Sequence, residues 1–367
     1  MNKPLFDLDI PGMQAEVSSY QPGRAFAWPV LFPLKYTPKF DIKGIEGEDG
    51  IPIAADRVAF NVKSPLKTRK KVGSWSGELD KLSVSQEKDE KKINEYEDLK
   101  TIAAANTEDK EAAQYLVDMV YDDIKFVNDG IDAKVEIDAL RIGSLAKKTY
   151  PASIEGDTAT EDVIDFNVPE GNFKFSKWSG VNADPIADVK TWQKYISGKG
   201  LKKPMFAFID EDMLDVVLQK DKTLKRVSTI VLNATGLQAS DILTIENLNR
   251  YMKQKGFPQF VSLDSTVLIQ DKKGNETTVR PWNKNVVVLS PVPRLGYTYF
   301  KPVPIIKNTD AMQVRGAFSK TTVYSELNPM LEVTMCEAYV QPALSNRASL
   351  IFANVDNAAA WADGVSA

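Results

Sequence analysis

The chain has 367 residues, with no histidine, one cysteine, and 46 basic against 50 acidic side chains, a formal charge of −4. Its 43% apolar and 26% charged residues are those of a globular chain long enough for two or three domains with a real core. The absent residues exclude a Ser-His-Asp triad, a Cys-His pair, His-ligated zinc, iron or copper, an intrachain disulfide and any four-cysteine metal cluster.

The first nine residues, Met1 to Asp9, contain no apolar stretch of the kind a secretory signal needs. The apolar run Phe26–Pro33 is far short of the roughly 20 residues of a membrane span, so the chain is expected to be cytosolic when made. Seven of the 20 prolines fall in residues 1–52. Each removes a backbone donor and fixes φ, which predicts an extended arm lying on its own body or on a neighbour. No proline occurs from Leu66 to Tyr150, and residues 78–111 carry 11 acidic and 6 basic side chains. The stretch Gln86–Lys92 is polar on every face, which predicts a solvated helix or a projecting loop.

A long amphipathic helix is expected next. Asn106 or Thr107 suits its N-cap, with Glu108, Asp109 and Glu111 in its first turn. Ala113, Leu116, Val117, Val120, Ile124 and Val127 follow at helical spacing. Gly130 is a possible kink, after which Ile131, Val135, Leu140 and Leu145 resume the pattern. The whole element predicts a spine of about 40 residues, or about 60 Å. Val163–Val168 is a strand candidate, and Asp184-Pro185 reads as N-cap and first position of a helix carrying Ile186, Val189, Trp192, Gln193 and Ile196. A mixed α/β region follows. A buried strand at Met205–Ile209 leads into a helix capped by Asp210, and another helix runs from Ile245 to Gln254 with Thr244 as its cap. Strands are expected at Phe260–Leu263 and Val267–Gln270, a hairpin turn at Asp271–Asn275, and further strands at Val286–Leu289, Leu331–Met335 and Ser349–Ala353.

Few residues point to chemistry. Lys67, Arg69, Lys70 and Lys71 form a basic cluster, and the acidic stretch beyond it, with Glu87, Asp89 and Glu90, offers a complementary surface. These seven are the candidate contacts between subunits. Asp210, Glu211, Asp212 and Asp215 fit acids at a helix N-terminus better than an acid/base pair or a metal site. Asp118, Asp122 and Asp123 read as a wet helix face. Leu116, Val120, Ile124, Trp178, Trp192 and Trp282 are the expected core anchors, and Cys336 a small core residue. No phosphate-binding glycine loop is present, and no cofactor or metal is expected. On residues alone this is a multi-domain α+β protein, non-enzymatic and suited to self-association. The remaining enzyme class is a carboxylate-dependent hydrolase such as a glycosidase, working through Asp210 or Glu211.

An ordered series of residues carries a resemblance. It comprises Ile164-Asp165-Phe166, Trp178, Asp184-Pro185, Asp188, Trp192, Phe208-Ile209-Asp210, the hairpin with Gly274, and Trp282-Asn283. It continues through Val286–Leu289, Pro291, Gly296–Phe300, Asn328-Pro329 and Glu337–Pro342. Over these positions the sequence resembles the major capsid protein E family of lambda-like tailed bacteriophages, which implies the α+β Hong Kong 97-type capsid fold. The resemblance implies an N-terminal arm at 1–58, an extended loop and charged segment at 59–105, and a peripheral domain with the spine helix at 106–180. It further implies an axial domain at 181–305 and a return to the peripheral domain with a C-terminal tail at 306–367. It implies self-assembly through pentamers and hexamers into an icosahedral virion shell around double-stranded DNA, without sequence-specific binding. The proline-rich start predicts a separate scaffolding protein. A portal and a decoration protein are the other implied partners, and a cellular nanocompartment shell of the same fold is the variant reading. Without histidine, any pH-dependent step would run on carboxylates, near pH 4 to 5 unless they are buried.

Overall fold

The computed structural model describes residues 2–45, 74–105, 110–149, 163–228, 243–270 and 274–357. In chain order the first elements are α1 (Ile10–Ser19), α2 (Trp28–Leu31), β1 (Leu34–Tyr36), β2 (Asp41–Ile45), β3 (Ser74–Glu78) and β4 (Asp80–Lys88). Two helices follow, α3 (Glu90–Ala105) and the 36-residue α4 (Lys110–Leu145). Then come β5 (Lys147–Thr149), β6 (Val163–Asp165), β7 (Phe173–Lys177), α5 (Pro185–Gly198), β8 (Phe206–Asp210), α6 (Glu211–Leu218), α7 (Asp221–Val227) and α8 (Ile245–Lys255). The remaining elements are strands: β9 (Gln259–Leu263), β10 (Val267–Gln270), β11 (Glu276–Val279), β12 (Val286–Ser290), β13 (Gly296–Lys301), β14 (Met312–Arg315), β15 (Ser319–Leu327), β16 (Met330–Leu344), β17 (Ile351–Asn354) and β18 (Asp356–Asn357).

Two six-stranded sheets organise these elements. In the first, the order β1-β13-β16-β15-β14 is extended by β4, which pairs antiparallel with β16 from Lys88↔Glu332 to Asp80↔Val340. The second runs β18-β7-β17-β12-β8-β9. Its strand β12 is buried along its whole length, as expected for a central strand of continuous Val and Leu. The first sheet packs on α4 through Val127, Ile131, Val135, Ala139 and Leu140, joined by Phe32, Trp282 and Val340. The second carries α5, α6 and α8 over a separate core of Trp178, Ile186, Trp192, Leu214, Met252 and Leu289. A third, smaller cluster seats Phe6, Leu8, Met13 and Val17 against Ile93, Tyr96, Val120 and Ile124.

The local chemistry of the helix ends matches the sequence. Asp184 accepts from the Ala187 N–H at 3.1 Å with Pro185 at N1, and Thr244 accepts from the Asn247 N–H at 3.3 Å. Gly256 closes α8 at φ 66°, a left-handed cap that glycine adopts without a Cβ penalty. The N-caps expected for α4, Asn106 and Thr107, lie outside the described residues, as does most of the β10–β11 turn.

Several expectations are corrected. Of the stretch Gln86–Lys92, residues 86–88 end a strand of the main sheet, β4, whereas Glu90–Lys92 form the exposed first turn of helix α3, the solvated helix expected there. Leu82, Val84 and Gln86 are half-buried, while Lys81, Ser83, Ser85 and Glu87 face solvent. The N-terminal segment is not simply extended. Asp9 caps α1 by accepting from the Gly12 N–H at 2.8 Å, and Pro11 sits in the first turn, where its missing donor costs nothing. Helix α4 continues through Gly130, which serves close packing instead: a Cβ there would lie 3.1 Å from a methyl of Val84. On the same helix Val117 faces outward at 50% exposure, whereas Asp123, assigned to the wet face, is buried. The strand at 163 ends at Asp165, whose carboxylate accepts from the Asn167 N–H and turns the chain through φ 51°.

Candidate interaction surfaces

The N-terminal segment is tied to the body by carboxylates. Glu332 on β16, 1% exposed, accepts from the N–H groups of Leu5 and Phe6 at 2.7 and 2.9 Å. Glu136 on α4, fully buried, accepts from the N–H groups of Ala27 and Trp28 at 3.1 and 2.7 Å and from the Ser265 hydroxyl at 2.6 Å. It thereby caps α2, whose N-cap residue supplies no side-chain acceptor. Between these points the Tyr20 hydroxyl lies 2.5 Å from Asp129 and 2.9 Å from Asp132. The Ser325 hydroxyl donates to the Lys3 carbonyl at 2.6 Å, and exposed Asp7 pairs with Lys100.

A buried ion pair lies beneath this strap. The Lys88 ammonium, at the end of β4, sits 3.0 Å from the Asp123 carboxylate and 4.8 Å from the centroid of the Phe6 ring, which covers it. Farther along β4, Lys148 bonds Asp80 and lies 3.2 Å from Asp138. On the outer sheet face Glu337 bridges Lys81 at 2.7 Å and Lys320 at 2.9 Å.

Burial and charge set the protonation of these groups. Burial pushes the Asp132 carboxyl up to about 6, with the charges of Asp129 and Glu136 adding to it and the Tyr20 hydrogen bond opposing. Burial also raises Glu332, against the Phe6 and Leu5 N–H groups and the Lys88 charge. Burial works to raise Glu337 as well, but Lys81 and Lys320 together hold it below the usual carboxylate range. Burial takes the Cys336 thiol up to about 11. Packed 3.4 Å from the Asn128 amide oxygen, Cys336 is a protonated core side chain with no thiolate to act as a nucleophile.

The candidate contact residues fall into two groups. Lys67, Arg69, Lys70 and Lys71 lie outside the described residues. Glu87, Asp89 and Glu90 are exposed where β4 passes into α3, and Asp89 also accepts from the Lys92 N–H at 3.1 Å, capping that helix. Val120 and Ile124 lie in the third cluster with Leu116 half-buried beside them. Trp178 stacks on Trp192 at 6.0 Å and donates to Asp188 at 2.9 Å; Trp282 donates to the Val286 carbonyl at 3.1 Å. Asp210 is the N-cap of α6 and accepts from the Asp212 N–H at 3.0 Å, while Asp212 pairs with Arg280. No group of metal-ligating side chains occurs among the described residues, and no described helix is long and apolar enough to cross a membrane. The carboxylates Glu136 and Glu332 were not singled out by sequence. The available signal was an acid at an inward position of an amphipathic helix for Glu136, and an acid opening an apolar strand for Glu332.

Exposed apolar side chains mark surfaces left uncovered among the described residues. Ile102, Tyr115, Val117 and Phe126 line the outer side of the α3–α4 pair, each at least half exposed. Leu268 and Ile269, exposed on β10, line a groove of about 700 Å³ with Phe126, Val84 and Ile137.

A spine helix against one sheet, a second sheet wrapped by helices, and an N-terminal strap together define a structural class: the Hong Kong 97-type subunit from which phage capsids are built. The chain is similar to a prophage protein of E. coli CFT073 described as a capsid protein, at 12% identity over 95% of this chain and 99% of that one, with a TM-score of 0.54. It is also similar to a phage-related protein of Bordetella bronchiseptica RB50, at 13% identity over 94% of this chain and 96% of that one, with a TM-score of 0.51. The profile of the family described as phage major capsid protein E matches residues 54–355. No curated protein sequence matches. The chain belongs to the phage major capsid protein E family, and its role is structural.

Proposed function

We propose that the chain is the repeating subunit of an icosahedral phage or prophage shell, closing through pentamers and hexamers around double-stranded DNA. The observation that carries this reading is the family match across residues 54–355. The match to the Hong Kong 97-type fold supports it. Contacts in such rings are heterologous: one face of each subunit meets a different face of the next, and the rotation closes the ring. Each contact can be weak, because every subunit is held by several neighbours at once. The division into arm (1–58), extended loop and charged segment (59–105), peripheral domain (106–180 and 306–367) and axial domain (181–305) belongs to this reading. So do assembly in the host cytoplasm, a separate scaffolding protein, a portal and a decoration protein. The subunit does no catalysis in this account. Two of the acids at 210–215 are already engaged, Asp210 in capping α6 and Asp212 in pairing Arg280, which suits a structural role.

The basic cluster Lys67, Arg69, Lys70 and Lys71 is assigned to the exposed acids Glu87 and Glu90 of an adjoining subunit. Reversing both Lys70→Glu and Lys71→Glu should abolish shells while leaving soluble subunits of unchanged thermal midpoint. Adding Glu87→Lys and Glu90→Lys should restore assembly. Wild-type shell yield from the Lys70→Glu/Lys71→Glu subunit would reject the pairing. Electron microscopy of the three proteins, each expressed with its scaffold, reads the result.

A further inference from the structure

We infer that the solvent face of α5 is a sequence-independent contact for the phosphate backbone of the enclosed duplex, an inference that rests on the capsid reading above. Helix α5 carries two acids and three lysines along its length and caps, and the acids are engaged by other groups. Asp184 caps the helix and pairs with Arg226 at 2.5 Å. Asp188 accepts from the Ser176 hydroxyl at 2.7 Å and from the Trp178 indole at 2.9 Å. What remains outward is cationic: Lys190, Lys194 and Lys199 are exposed along the helix, flanked by Lys203 beside Gly256 and by Lys174 on β7. Lys190 and Lys194 stand one turn apart on one flank of the solvent face, and Lys199 lies about 14 Å farther along the axis from Lys190 on its other flank, at 1.5 Å and 100° per residue.

The arrangement around Tyr195 points to an anion. The ammonium groups of Lys174 and Lys199 lie 3.7 and 4.3 Å from the centroid of this one ring. Lys199 also donates to the Asn172 side-chain oxygen at 3.2 Å. Two like charges are thus gathered around one aromatic ring. None of the five lysines has an ion-pair partner within 4 Å among the described residues, and exposed Glu170 at the rim pairs with none of them. An oxyanion lying between Lys174 and Lys199 would relieve their repulsion with charge-assisted hydrogen bonds. A protein partner fits this face less well. Helix α5 exposes no large apolar side chain, whereas interface cores are built on apolar and aromatic anchors and are depleted in lysine. Phosphate contacts need only cations and donors. Five lysines on a subunit of net charge −4 make a loose, salt-sensitive grip, suited to a genome that must enter and leave.

The test is fluorescence-anisotropy titration of a labelled duplex of about 20 base pairs with full-length unassembled subunit between 50 and 200 mM NaCl. Five phosphate contacts give a log–log salt slope of up to about −4.5. Lys174→Gln with Lys199→Gln should reduce that slope by about 2 and weaken binding at 50 mM at least tenfold, with thermal midpoint and shell formation unchanged. A wild-type subunit that does not bind duplex, or a double variant with wild-type affinity and slope, overturns the inference. A double variant that binds DNA normally but no longer forms shells also overturns it, by making the face a contact between proteins. If wild-type subunits form shells and the DNA result is negative, this inference alone fails; if wild-type subunits form no shells with scaffold present, the capsid reading itself fails.

Discussion

The Tyr20 hydroxyl touches Asp129 at 2.5 Å and Asp132 at 2.9 Å, yet it owns a single proton. It can donate to one carboxylate; the other contact is a hydrogen bond only if that carboxyl brings a proton. Below about pH 6 burial lets Asp132, raised from 3.8 to about 6, be the carboxyl that brings it; above that pH Asp132 is ionised and can only accept. In the unfolded chain it titrates at its ordinary value, so between about pH 4 and 6 the folded subunit holds a proton that the unfolded chain has lost. Stability therefore falls as pH rises through this window, by at most about 3 kcal/mol from this group, and is flat in it above pH 6. Glu332, also raised by burial, acts with the same sign. Asp132→Asn should remove about one proton's worth of slope between pH 4 and 6 in urea unfolding of the unassembled subunit. An unchanged slope would mean that Asp132 is not the group that titrates. The proton-dependent behaviour expected of carboxylates in a chain without histidine thus has a location, and burial moves it above the ordinary carboxylate range.

At the scale of elements, the junction of β4, α4 and β16 decides how the strap is held. Lys88 and Asp123 are both buried, and their pairing offsets the cost of taking each charge out of water. Lys88→Ala leaves Asp123 unpaired and should lower unfolding free energy by about 3–5 kcal/mol. Lys88→Met together with Asp123→Leu should recover most of that loss. A single variant as stable as wild type would show that the pair carries no such weight. This junction was also the hardest part to read. The two-residue alternation of a strand is present at Leu82, Val84, Gln86 and Lys88, but its last two inward residues are polar, so the segment looked solvated from every side. The partners that make those positions inward, Asp123 and Glu332, lie far along the chain. Helix α5, by contrast, was legible from Asp184-Pro185 to Gly198, because its cap and apolar stripe are local. The same holds for α6, α8 and β12. Glu136 and Glu332 escaped notice for the reason Lys88 did. Their acceptors serve backbone N–H groups more than 100 residues away, a pairing that no local pattern encodes.

For the whole molecule, the chain covers its own core but leaves specific faces open. The sheet packed on α4 and the helix-wrapped second sheet each close over buried residues, and the strap seals the junction between α3, α4 and β16. Left outward are the apolar side of α3–α4, the groove beside β10, the acids at the β4–α3 turn and the lysine face of α5. Such a division suits a subunit completed by copies of itself. The low net charge, −4 over 367 residues, conceals local concentrations of one sign, such as the exposed acids Glu87, Asp89 and Glu90 and the exposed lysines Lys190, Lys194 and Lys199. The measurement that tests the central claim most directly is electron microscopy of the full-length protein, expressed alone and with the proposed scaffolding protein. Closed icosahedral shells, or five- and six-membered rings on their way to them, are the result this account predicts. A homogeneous monomer that stays monomeric with the scaffold present would contradict it.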